Sequence, residues 1–365
     1  MGISLCFRIL LVLSFFCHLF AESDDVWSRE DGADPLPVIY VHGLMGKAAN
    51  YYQYGNWTQK YNPGQPVYYV WEDQGISGVF RSAWAQLEDL HEEIERIQKR
   101  EGFRKFHLVC HSFGELLCQS YLKVYNHDCE TFVSLAAVLG QFGLTGAVEE
   151  AVKKFLPMSE KAVNLTRDGA YQWLYTPALQ ASVPVAGFWK DPLHWEKYLA
   201  GNSFLPVVMG ERELHPVGGG GEGDLESVSV RQREEVQQKF NLSWSSMRKN
   251  FLKLRHATFL SSPQDDVVEP PTSGMFEFCE KGDGSLAHLR PMGAQEYYRN
   301  DAFGLRTLDE TGRLDLHSVQ SVKHMEWHTR EDLFVKYVLP SLHRGDFQAG
   351  SASIALPRIF AQKNN

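Results

Sequence analysis

The run Lys105-Phe106-His107-Leu108-Val109-Cys110-His111-Ser112-Phe113-Gly114-Glu115-Leu116-Leu117-Cys118 constrains this chain more than any other stretch. Its first half is apolar and strand-like, its second half helical, and Ser112 stands at the junction, two residues before a glycine. That arrangement fits a nucleophile elbow. A buried strand ends, the chain turns sharply, and the serine hydroxyl is held at the tip while the backbone enters a helix. The helix start aims the N–H of Phe113 at the space beside Ser112, where an oxyanion would develop. The first glycine of a G-x-S-x-G pattern is replaced here by Cys110, which is small enough for the helix to approach the strand. The competing reading is an ordinary Ser-Phe-Gly turn that closes a buried strand.

The flanking sequence predicts what holds such an elbow. Pro37-Val38-Ile39-Tyr40-Val41 is fully apolar, as a central parallel strand is. It runs into His42-Gly43-Leu44-Met45-Gly46, whose glycines free the backbone to face a ligand, and the N–H of Leu44 is the second oxyanion candidate. Val67 to Trp71 reads as a strand. Phe80, Trp84, Leu87, Leu90, Ile94 and Ile97 form one helical stripe that ends near Gly102. Thr131 to Val138 is a further buried strand. Strand, helix, strand, elbow, helix is the rhythm of a doubly wound α/β fold with helices on both faces of a mostly parallel sheet.

After Gly140-Gln141-Phe142-Gly143 the rhythm breaks. Residues 144–245 read as a helical lid insertion over the active face. Phe142, Phe188 and Trp189, with Met45, are its candidate apolar contacts for an acyl chain. The glycine-rich part, 216–240, reads as a flexible loop. The alternation returns with a strand at Ala257 to Leu260 and a second at Ser318 to Lys323. A capping box at Thr329-Arg330-Glu331-Asp332 opens a last helix that ends at Leu342.

Composition sets the compartment and excludes some functions. The 365 residues carry a formal net charge of −9, so no nucleic-acid footprint is present. Arg8 precedes the short apolar run Ile9 to Ala21, which reads as a signal peptide over residues 1–21, too short for a membrane span. The main domain is then expected over 22–345, with a mobile tail over 346–365. Sequons at Asn56, Asn164 and Asn241 fit a glycosylated, lumenal chain without a transmembrane segment. Removal of the signal leaves Cys110, Cys118, Cys129 and Cys279, whose pairing is open. No clustered Cys/His pattern suggests a metal, and no cofactor is expected.

A serine nucleophile needs a base within hydrogen-bond reach and a carboxylate to orient that base. The late candidates are Asp265 or Asp266, and His324 or His328. His42 lies in the oxyanion loop, and His111 is expected to point to the far side of its strand. The order serine, acid, histidine is the one used by the α/β-hydrolase fold.

Several motifs together resemble the palmitoyl-protein thioesterase family, in particular its second, lysosomal branch. They are Val41-His42-Gly43-Leu44, Cys110…Ser112…Cys118, Gly140-Gln141-Phe142-Gly143, Trp189…Asp191-Pro192, Gly210-Glu211-Arg212, Asp265…Val267…Pro270 and His324…Trp327-His328. They span about residues 35 to 345. The resemblance implies Ser112 as nucleophile, Asp265 as orienting acid, His324 as base and a Cys110–Cys118 disulfide. It implies a fatty-acyl thioester as substrate, a lysosomal location and sorting through N-glycans. Oxygen-ester hydrolysis, or lipid binding by a weakened member of the fold, are the alternatives. The chain departs from the family's Ser-Gln-Gly-Gly elbow at Phe113 and Glu115. The carboxylate of Glu115 is expected to disfavour negative charge at the oxyanion.

Overall fold

The computed structural model describes residues 35–72, 75–143, 145, 169–212, 239–240 and 242–343. The signal peptide, Asn164, Asn241, nearly all of the glycine-rich loop and the tail lie outside the described residues.

Six strands make one parallel sheet. In chain order they are β1 (Val38–Val41), β2 (Val67–Tyr69), β3 (Phe106–His111), β4 (Cys129–Leu135), β5 (His256–Ser261) and, after the two-stranded ribbon β6 (Phe278–Cys279) and β7 (Leu289–Arg290), β8 (Leu314–Ser318). The spatial order is β2-β1-β3-β4-β5-β8, every pairing parallel. β1, β3, β4 and β5 are buried along their whole length, which explains why they read as unbroken apolar runs.

Strand alternation divides the interior into two cores. Ile39, Val41, Leu108, Phe132 and Phe259 face one layer, with helix α2 (Ala83–Glu101) and helix α3 (Ser112–Val124). Val38, Tyr40, Val109, Val133 and Leu260 face the other, with helix α1 (Tyr52–Tyr61) and the C-terminal helical segment Glu331–His343. The predicted stripe on α2 is buried from Trp84 to Ile97. The helix begins where the Ser82 hydroxyl accepts from the N–H of Ala85 and ends at Gly102 with φ 75°, the left-handed stop of a helix C-terminus.

Five local expectations are corrected. Phe80 lies outside α2, in a 3₁₀ turn over Gly75–Phe80, and is 60% exposed. The second strand stops at Tyr69, short of Trp71, and the fourth begins at Cys129 and stops at Leu135, where Ala136 turns with φ 48°. The last strand is Leu314–Ser318, not 318–323. Its alternating residues suit a sheet edge with one wetter face, and the chain turns away at Ser321 with φ 60°. Thr329 does not cap the last helix, because its hydroxyl donates to Glu326 O (3.0 Å) within a 3₁₀ turn.

The described part of the insertion holds the short helices Tyr171–Leu174, Pro177–Ser182, Pro184–Phe188, Trp195–Gly201 and Leu205–Val208. Two buried amides knit it. The Asn202 side chain donates to the carbonyls of Ala186, Gly187 and Trp189, and that of Gln180 to Leu174 and Ala186.

Candidate active site

Ser112 has φ 57°, a left-handed conformation that costs about 1–3 kcal/mol in a residue other than glycine and survives only where its surroundings impose it. Four constraints do so here. β3 fixes the backbone before it, and α3, all of whose residues are buried, fixes the backbone after it. A Cys110–Cys118 disulfide ties the strand to the second turn of the helix. Gly114 brings that helix onto β1, since a Cβ there would stand 2.0 Å from the carbonyl oxygen of His42.

The loop after β1 lies directly over the serine. A Cβ on Gly43 would be 2.8 Å from Ser112 Cβ and 3.2 Å from its Oγ, so a side chain at 43 would crowd the Ser112 hydroxyl. Leu44 follows at the rim. Phe113, the second residue of α3, has an N–H with no acceptor four residues earlier in the helix. The ring nitrogens of His42 lie 2.8 Å from Gly43 O and 3.1 Å from Trp71 O, pinning this loop.

Two further side chains come from the loops that follow β5 and β8. The buried side chains of His324 and Asp265 meet with Nδ1 and Oδ2 2.8 Å apart. An ionised carboxylate only accepts, so Nδ1 carries the proton and Nε2 presents its lone pair. The hydroxyl of Ser112 donates to that Nε2 across 2.8 Å. The other oxygen of Asp265 accepts from the N–H groups of Val267 and Val268, both at 2.9 Å. Asp266, the competing carboxylate, instead accepts from the backbone N–H of His324 at 3.1 Å.

The remaining histidines take different places. His328 packs edge-on against Tyr51 and His111 at 4.9 and 4.3 Å between ring centroids. Burial pushes its pKa down to about 4, and it does not reach Ser112. His111 does not point away from the site. Its Nε2–H donates to the carbonyl of His324 at 2.9 Å. The sharp turn at Ser112 breaks the strand alternation on which the opposite expectation rested.

Of the expected acyl contacts, Met45 is 43% exposed, and the ring of Phe188 lies 5.4 Å from that of Phe113, the residue after Ser112. Phe142 and Trp189 are interior residues, packed on each other at 6.0 Å. They belong to a seam that the sequence did not reveal. Gln141 bonds to the acid loop through Val267 O and Glu269 N–H, and its own backbone pairs with Phe188 and Lys190 in the insertion. The buried pair Lys190–Glu211 and the hydroxyl of Tyr198 on Glu211 close the seam. The Gly140-Gln141-Phe142-Gly143 motif is the sequence signal at this point. Asn56 is exposed on α1. Among the described residues, no group of His, Cys, Asp and Glu could hold a metal ion, and no helix is long and apolar enough to cross a membrane.

A family model described as palmitoyl protein thioesterase matches residues 37–324, from the start of β1 to His324. The chain belongs to this family. Among palmitoyl protein thioesterase relatives, it is 28% identical over 304 residues to "Lysosomal thioesterase PPT2-B" of Xenopus laevis, covering 83% of this chain and 91% of that one. It is 28% identical over 308 residues to "Lysosomal thioesterase PPT2" of Homo sapiens, covering 84% and 87%. Among solved structures it is similar to the mature Bacillus licheniformis lipase BlEst2, at 15% identity and a TM-score of 0.38, covering 87% and 96%. The parallel six-stranded sheet with helices on both of its faces is that of an α/β-hydrolase.

Proposed function

We propose that this chain is a serine thioesterase that hydrolyses long-chain acyl thioesters, of S-acylated proteins or of acyl-CoA, through Ser112, His324 and Asp265. One observation carries the reading: an unbroken buried chain of hydrogen bonds from Asp265 through His324 to Ser112, with the serine on a strained strand-to-helix turn. Ser112 Oγ attacks the thioester carbonyl carbon while its proton passes to Nε2 of His324. Asp265 stabilises the imidazolium. Negative charge moves to the carbonyl oxygen, for which the N–H groups of Leu44 and Phe113 are the donors. The C–S bond then breaks, and the thiolate takes the proton from His324. In the second half, His324 takes a proton from water, hydroxide adds to the acyl-enzyme carbonyl, and the fatty acid leaves as Ser112 regains its proton. Thiolate is a good leaving group, so the demands fall on placing the carbonyl and on deacylation.

Membership in the palmitoyl protein thioesterase family and the names of its relatives support a thioester substrate and a lysosomal location. The exposed Asn56 sequon supports passage through the secretory pathway, with N-glycans available to a sorting receptor. Domain limits of 22–345, a lid within 144–245 and a tail after 345 complete the proposal.

The test is hydrolysis of palmitoyl-CoA and of a matched palmitoyl oxygen ester at pH 5 and pH 7, with Ser112→Ala alongside. Thioester turnover that disappears in the variant is expected. Faster oxygen-ester turnover would make the chain an esterase or lipase. Acyl-chain binding without turnover of either substrate would leave a lipid-binding role.

A further inference from the structure

We infer that His111 is a positioning residue for the proposed reaction, holding the general base through its backbone carbonyl. The inference rests on the Ser112–His324–Asp265 reading above.

All four polar atoms of His324 are engaged. Nε2 accepts from Ser112, Nδ1–H donates to Asp265, the backbone N–H donates to Asp266, and the carbonyl accepts from His111 Nε2–H at 2.9 Å. Three of these partners come from the elbow and the acid loop, where the reaction itself places them. The fourth comes from the residue immediately before the nucleophile, 213 positions away in the chain. A carbonyl oxygen only accepts, so Nε2 of His111 carries the proton and Nδ1 does not.

The same ring touches the third part of the site. A Cβ on Gly43 would lie 3.3 Å from His111 Nδ1, so the imidazole underlies the loop that passes over Ser112. It also lies against the base, with centroids 4.7 Å apart. One buried side chain therefore sets the spacing between the oxyanion loop, the nucleophile and the base.

Packing alone does not ask for a histidine. The ring is 98% buried, among His324, His328 and Gly43, and phenylalanine would fill that volume. It would leave the carbonyl of His324 buried without a donor, and such groups are nearly always paired. The loop carrying the base would then be free to move until the carbonyl found another partner. A base that becomes cationic in each half-reaction also gains from an uncharged neighbour. Burial, with the facing imidazoles of His328, His324 and His42, holds the His111 pKa well below its usual value.

The experiment compares His111→Phe and His111→Gln with the wild type, measuring kcat and KM on palmitoyl-CoA, the acid limb of the pH–rate profile and the melting temperature. Glutamine places an N–H donor near the position of Nε2; phenylalanine does not. Displacing a base by about 1 Å costs about 100-fold in rate. His111→Phe is therefore expected to lower kcat by about 10- to 100-fold, with KM within about twofold and the acid limb unmoved. His111→Gln should recover most of the loss. Should the phenylalanine protein fail to fold, His111→Met, flexible and without a donor, takes its place. Wild-type kcat in a donor-free variant, or a folded His111→Gln as impaired as that variant, would overturn the inference. A shifted acid limb would replace it with an electrostatic role. Absence of Ser112-dependent turnover in the wild type would instead overturn the reading on which it rests.

Discussion

Replacing Gly114 with alanine tests whether the helix that starts at Ser112 is seated by contact with the end of the first strand. A Cβ at 114 would stand 2.0 Å from the oxygen and 2.8 Å from the carbon of the His42 carbonyl, and 3.2 Å from Val41 O. All three atoms are backbone, so no side chain can swing aside. Ordinary contact begins at 3.4 Å, and 3.4 − 2.0 leaves 1.4 Å to be found. α3 cannot supply it freely, because it is buried throughout and Cys118 is bonded to Cys110. The start of the helix must tilt from β1, and Ser112 is its first residue. The Ser112–His324 hydrogen bond is 2.8 Å long, so a shift of about 1 Å carries it beyond hydrogen-bond range. A misplacement of that size costs about 100-fold in rate, equivalent to about 2.7 kcal/mol of barrier. Overpacking adds a stability loss of about 1–3 kcal/mol. Thermal melting reads the second effect, and the rate of Ser112 labelling by a fluorophosphonate reads the first. Labelling within threefold of wild type in a protein that melts several degrees lower would break the link between helix seating and serine placement. An unchanged melting temperature would refute the packing argument itself.

Three further outcomes are expected. Asp265→Asn, by reversing the His324 tautomer, should cost about 10⁴-fold in kcat, whereas Asp266→Asn, which touches only the backbone N–H of His324, should cost far less; equal losses would undo the assignment. Replacing Cys110 and Cys118 together by serine opens a loop with a sequence separation of 8. It should cost about 2–3 kcal/mol by loop entropy, read as a lower denaturation midpoint, and an unchanged midpoint would count against it. Glu115 has a folded pKa raised to about 8, above its usual 4.5. Its share of stability is therefore complete below about pH 4.5 and is lost as pH rises toward 8. Glu115→Gln should match the wild-type melting temperature at pH 4.5 and exceed it at pH 8, and a difference independent of pH would contradict the sign.

What could be read from the sequence was what is encoded locally. β1, β3, β4 and β5 show as apolar runs because both of their faces are covered. The elbow shows because strand, serine and helix adjoin in the chain. Choosing Asp265 over Asp266, and His324 over His328, depended on family resemblance, because the geometry that separates each pair is tertiary. Asp265 differs from its neighbour by two N–H groups, Val267 and Val268, that anchor its second oxygen. Local signals misled where long-range packing overrode them. Val319 and Val322 look strand-like and are buried, yet the edge strand had already ended at Ser318. Dense aromatics around Trp189 suggested an acyl surface, but two of the candidates fill a seam between the insertion and the acid loop. Nothing in the sequence joins Gln141 to Glu269 or His111 to His324.

Glu115 shows how an apparent conflict at an active site can be resolved by direction. A carboxylate three residues beyond the nucleophile is poorly placed for an oxyanion if its side chain turns toward the serine. Here it enters the interior along α3. Gln119 donates to Glu115 across 3.4 Å, and Nζ of Lys123 donates to the amide oxygen of Gln119 and to Val208 O, with the centre of the Phe303 ring 3.7 Å from it. The three residues are spaced four apart, so they form a polar ladder along one helix face. It reaches Leu205–Val208 of the insertion. Burial raises the Glu115 carboxyl to about 8, and the opposing pull of Lys123 is smaller. Below about pH 8 Glu115 is therefore an uncharged acid that would oppose no negative charge developing beside Ser112. The ladder thus joins the helix that starts at Ser112 to the insertion, while burial keeps Glu115 neutral below about pH 8.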